Sequence, residues 1–120
     1  MFHPSKKQWA YLLSAATLVF ALPLSAAETS PDVTASVQTL GELNGQALAC
    51  KHLALSARLR EIIITHAPKE RSFGELYEQA TSQSYLRQGQ SQSPCLDGKQ
   101  LAEQITAAEA RLKAARGEPR

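Results

Sequence analysis

The chain has 120 residues, with 13 basic and 11 acidic side chains, two cysteines and a single methionine at position 1. Lys6 and Lys7 sit in an N-terminal stretch that reads as a leader. Residues 28–120 therefore hold 11 basic and 11 acidic groups, a balance that leaves no electrostatic footprint for nucleic acid. Besides alanine and cysteine, residues 28–120 offer 20 sizeable apolar side chains. That suffices for one small helical domain but not for a cofactor-binding α/β domain with its own substrate pocket.

In chain order, the leader comes first. Lys6 and Lys7 precede an apolar run from Trp9 to Leu22, Pro23 breaks it, and Ser25-Ala26-Ala27 supplies the small residues a signal peptidase reads. The run is short of the roughly 18–20 apolar residues of a membrane-spanning helix. These features predict residues 1–27 as a secretory signal peptide cleaved after Ala27, with residues 28–120 exported to the periplasm as one small helical domain. No membrane span is expected after cleavage, and residues 28–32 and 117–120 are expected to be loose ends.

The remaining segments read as helices. Ser30-Pro31-Asp32 combines a cap, a first-turn proline and an acid at the positive end of the dipole. Val33, Val37 and Leu40 follow on one stripe. Gly41 and Asn44-Gly45 are expected to bend or restart the helix, with Asn44 as the new cap. Residues 45–66 then read as the central helix. Leu48, Leu55, Leu59, Ile62 and Ile63 lie on one face with His52 and His66 beside them. Leu43, Ala47, Cys50, Leu53, Ala54, Ala57 and Ile64 occupy the other side, so this helix is expected to pack between neighbours on two faces. Ala67-Pro68 ends it. Ser72 and Glu75 have capping-box spacing, and Phe73, Leu76, Tyr77 and Ala80 form the next stripe, which Gly89 is expected to stop. Asp97 and Gln100 predict a second capping box, followed by Leu101, Ile105, Ala108, Leu112 and Ala115 at helical spacing. The result is an all-α fold, a small bundle of three to four helices.

Cys50 and Cys95 are the two cysteines, and an even pair in an exported domain of this size reads as a structural disulfide stapling that bundle.

Cys50, His52, His66 and Cys95 are plausible metal ligands, but on one helix His52 and His66 stand about 21 Å apart by rise alone. Cys50 and His52 point to opposite sides of such a helix, and a disulfide removes both thiolates. The same geometry separates any Cys–His nucleophile, and no phosphate-binding, dinucleotide or zinc-protease motif occurs. No catalytic, cofactor-binding or metal residue is therefore assigned, and no cofactor is expected. The remaining candidate surface is Lys69 and Arg71 with Tyr77 and Tyr85 downstream, since arginine and tyrosine anchor interfaces more often than other residues.

By elimination, the sequence reads as a non-enzymatic envelope protein acting through protein–protein binding. It would be an accessory factor for, or an inhibitor or immunity-type partner of, another periplasmic or envelope protein. Self-association as a homodimer stays open, and a metal-handling role is a second alternative. The layout resembles the HdeA-type periplasmic acid-stress chaperones: a signal peptide, roughly 90 mature residues, and one cysteine pair 45 positions apart. That resemblance is architectural and assigns no residues. It implies a protein that loosens in acid without aggregating, as protonation of the carboxylates takes residues 28–120 to a charge of about +13.

Overall fold

A computed structural model describes residues 30–118, which form four helices: α1 (Pro31–Ala49), α2 (Leu53–His66), α3 (Arg71–Ser91) and α4 (Gly98–Ala115). The leader and its expected cleavage site lie outside the described residues. No strand occurs among the described residues, and the fold is an all-α bundle closed by a Cys50–Cys95 disulfide with Cα atoms 5.8 Å apart.

The helices run alternately up and down, and α1 is the element on which the others assemble. It packs against all three, α2 also touches α4, and α3 lies along α1 with its backbone largely apart from α2 and α4. One core results. Val33, Val37, Leu40, Leu43 and Ala47 of α1 meet Leu59 and Ile62 of α2, Phe73 and Tyr77 of α3, and Leu101, Ile105, Ala108 and Leu112 of α4.

At its start α1 follows the sequence closely. The Ser30 hydroxyl accepts from the Asp32 amide at 3.1 Å and Pro31 opens the first turn. Its middle does not. The expected bend at Gly41 and Asn44-Gly45 is absent, and α1 runs unbroken to Ala49 with Asn44 inside it. The glycines serve packing instead. A Cβ on Gly41 would lie 2.7 Å from both the Ala80 Cβ and the Tyr77 carbonyl oxygen; one on Gly45 would lie 2.5 Å from the Thr81 carbonyl oxygen. Two helix backbones can come this close only where one side lacks a side chain.

The expected 45–66 helix is in fact two helices, divided at residues 50–52. Lys51 has φ +63°, the His52 amide donates to the Ala47 carbonyl and the Lys51 amide to that of Leu48. This double closure is the Schellman arrangement, here with lysine at the left-handed position where glycine is usual. A non-glycine residue there costs about 1–2 kcal/mol. Neither is the second face of α2 buried as expected. Leu59 and Ile62 point into the core, while Leu53 is 64% exposed and Ile64 54% exposed.

Pro68 separates α2 from α3. The expected capping box at Ser72 and Glu75 does not form. Glu70 precedes the helix without a side-chain cap bond, and Glu75 instead pairs with Arg71 at 3.0 Å. Gly89 does not stop α3, which continues to Ser91 and ends at a left-handed Gln92. The second capping box is present: the Gln100 amide donates to Asp97 Oδ1 at 2.8 Å, and the Asp97 amide to Gln100 Oε1 at 3.4 Å. Residues 117 and 118, expected to be loose, are held by a Schellman closure of α4, with the Glu118 amide 2.7 Å from the Lys113 carbonyl oxygen.

The two roles of glycine separate experimentally. Gly45→Ala adds a methyl where backbone atoms already stand at 2.5–2.6 Å, and is expected to lower stability by about 1–2 kcal/mol despite alanine's better helix propensity. Gly89 has open space around its Cβ position, so Gly89→Ala is expected to raise stability by up to about 1 kcal/mol. Urea unfolding of both variants, read by circular dichroism, checks the opposite signs.

Candidate functional site

The close contact of α1 and α3 is finished with polar groups rather than apolar ones. Thr81 Oγ1 donates to the Tyr77 carbonyl at 2.8 Å, with the Gly41 carbonyl at 3.2 Å, and accepts from Asn44 Nδ2 at 3.2 Å. Asn44 Oδ1 accepts from Ser56 Oγ of α2 at 2.6 Å, and Ser84 Oγ donates to the Glu42 carbonyl at 2.6 Å. Asn44 thus reaches both α2 and α3 and fixes Ser56 level with Thr81. Because buried polar groups are costly unless paired, this network specifies one register of the three helices.

Beside it, α2 and α3 flank an open groove of about 770 Å3 whose floor includes Asn44 and Leu48 of α1. Leu53, Arg60 and Ile64 stand on the α2 wall, with Gly74, Tyr77 and Glu78 on the α3 wall. Leu48 also borders an adjoining hollow of about 470 Å3, shared with Tyr85 and Leu86. Among the described residues the exposed large hydrophobic side chains are Leu53, Ile64, Tyr85 and Leu86, and all four belong to this face. Exposed leucines scattered singly mean little, but these four border two adjoining hollows that share Leu48.

Tyr77 carries a strain of its own. Its ring is packed in the core and 9% exposed, and its hydroxyl is buried without a hydrogen-bond partner. Burial pushes the phenol up to about 12, against the lowering effect of the nearby Arg60 charge.

Of the residues the sequence put forward for partner binding, Tyr77 and Tyr85 fall on this face, the first as buried wall and the second 48% exposed. Lys69 and Arg71 are engaged locally: the Lys69 ammonium donates to the Ile64 carbonyl at the end of α2, and Arg71 holds Glu75. Sequence reasoning passed over Leu53, Ile64 and Leu86 as binding residues. For Leu53 and Ile64 the signal was present in the two apolar faces of α2, only one of which finds a neighbour; Leu86 lies on α3.

The histidines are apart and separately engaged. His52 Nε2 lies 3.1 Å from the Leu96 carbonyl oxygen, an acceptor only, so Nε2 carries the proton. His66 stands between two carboxylates, with Nδ1 2.8 Å from Glu118 and Nε2 3.7 Å from Glu109; Arg58 reaches Glu109 at 3.6 Å. This clasp joins α2 to α4 and to the chain beyond it. Both cysteine sulfurs are in the disulfide, and no group of three or more metal-ligating side chains occurs among the described residues. Among the same residues no helix is long and apolar enough to cross a membrane. No known protein family, characterised protein or solved structure matches the chain.

The Tyr77 hydroxyl gives this site a pH signature. A phenol raised from 10.0 to about 12 contributes stability that is complete below pH 10 and is lost as pH rises through the folded value. Tyr77→Phe keeps the ring and removes the unpaired hydroxyl. It is expected to gain about 1–2 kcal/mol at neutral pH and to show a flatter stability curve than the parent from pH 10 to 12. Denaturant midpoints measured across that range check both effects.

Proposed function

We propose that this chain is an exported, non-enzymatic binding protein that acts on another periplasmic or envelope protein as an accessory factor or an inhibitor. One observation carries the reading: four large exposed hydrophobic side chains gather on one face, around a groove whose floor is held by a satisfied polar network. A preorganised apolar face of this kind lets a partner bind with little ordering cost. The disulfide supports export, since such bonds persist in oxidising compartments. Leu53→Asp/Leu86→Asp changes two exposed positions and is expected to leave stability within about 0.5 kcal/mol of the parent. As baits in envelope extract, the parent is expected to retain a stoichiometric partner that the variant loses. Equal retention by both removes this face from the function.

An acid-stress chaperone is the second reading, and one feature favours it. Every ion pair that joins separate elements among the described residues ends on Glu109 or Glu118. Those pairs are the charge contacts between α2 and α4 or the chain beyond it that strong acid weakens, while the disulfide still limits how far the chain opens. At pH 2–3 such a protein is expected to keep its helical circular dichroism, lose near-ultraviolet signal and bind an apolar dye without aggregating. A rigid near-ultraviolet spectrum at that pH eliminates this alternative.

A further inference from the structure

The α2/α3 face has an internal register that suits a second copy of this same chain. Asn44 bonds both Ser56 and Thr81, α2 and α3 run in opposite directions, and both rise 1.5 Å per residue. Counting from that rung along both walls, Leu53 stands within one to two residues of the level of Tyr85 and Leu86, Arg60 within one residue of Glu78, and Ile64 within one residue of Gly74. Arg60 and Glu78 form no ion pair or side-chain hydrogen bond with another described residue. Gly74 has open space where a Cβ would be.

We propose that two copies of this chain associate through the α2/α3 face, across a two-fold axis running along the groove. It rests on reading that face as a protein-binding surface, and it names the protein that fills it. Such an axis exchanges the walls and lays α2 of each copy over α3 of the other, so these three levels each find a complement. Leu53 packs on Tyr85 and Leu86, and exposed Ile64 enters the space over Gly74. Arg60 meets Glu78, and symmetry makes each of these contacts twice. With 11 basic and 11 acidic groups in residues 28–120, two copies carry no net charge to drive them apart.

Sedimentation of the purified, disulfide-bonded protein tests this over micromolar to millimolar concentration. The parent is expected to dimerise. Arg60→Glu and Glu78→Arg each place like charges opposite one another twice, so each alone is expected to associate at least about tenfold more weakly. Mixing the two variants brings opposite charges together at both contacts and is expected to restore the dimer, as is the double variant on its own. Lys99→Glu, an exposed change on α4, is expected to leave association unchanged. A parent monomeric throughout the range overturns the proposal. So does a dimer indifferent to both single variants, or a mixture that fails to pair. If the parent is monomeric while Leu53→Asp/Leu86→Asp still abolishes capture of an envelope partner, the dimer falls and the binding function stands. If the parent dimerises as proposed and no partner depends on this face, the reverse holds.

Discussion

The contact on which the rest of this bundle depends is the approach of α1 to α3 at Gly41 and Gly45. Two helices separated by ordinary side chains lie about 8–10 Å apart. Here a Cβ on either glycine would stand only 2.5–2.7 Å from backbone atoms of α3, so α3 is drawn onto α1 and away from its other neighbours. Such closeness leaves little room for apolar side chains, and hydroxyls bonded to carbonyls take their place at Thr81 and Ser84. The geometric consequence is a gap. With α3 committed to α1, and α2 joined to α4 by Arg58, His66 and Glu109, nothing in the described chain fills the space between α2 and α3. The groove is therefore a product of the fold's tightest contact and not a defect of its packing.

The disulfide acts at the other weak point of the architecture, the lower end where α1 turns into α2 and the loop before α4 arrives. It closes a segment of 45 residues, for which the chain-entropy model gives about 4 kcal/mol of stabilisation. Domains of this size have total stabilities of about 5–15 kcal/mol, so the bridge carries a substantial share. It also lies next to Lys51, whose side chain disfavours the left-handed backbone that the turn requires. The cross-link and the Schellman hydrogen bonds together hold a conformation that lysine alone would not choose.

What was legible in the sequence was whatever has a local cause. Ser30-Pro31-Asp32 and the Asp97/Gln100 box bring donor and acceptor within three residues of each other, so the pattern and the structure are nearly the same fact. The stripes of α1, α3 and α4 were readable because burial imposes a helical period, and the pairing of Cys50 with Cys95 followed from there being two. Features with non-local causes were not legible. Gly41 and Gly45 look the same whether a glycine bends a helix or admits another, and only α3 decides between them. Lys51 gave no sign of a left-handed residue, because its conformation is imposed by the helix closure and the bridge. Ser72 and Glu75 had the spacing of a capping box, yet α3 begins two residues earlier, behind Glu70, and Arg71 takes the glutamate.

The candidate site was half legible for the same reason. Tyr77 and Tyr85 were singled out for their residue type, and they fall on the face; Lys69 and Arg71 were singled out likewise, and local bonds absorb them. The second apolar face of α2 was visible in the sequence but was assigned to the interior, since a helix apolar on two sides normally lies between neighbours. Its exposure at Leu53 and Ile64 turns that rule around. The sequence supplies apolar surface for one more helix–helix contact than the described chain makes, while α1, its tightest contact already formed, has no further face to offer. A surface patterned for packing and floored by satisfied hydrogen bonds is the one on which the proposed second copy would sit, with Arg60 near the level of Glu78 and Ile64 near that of Gly74.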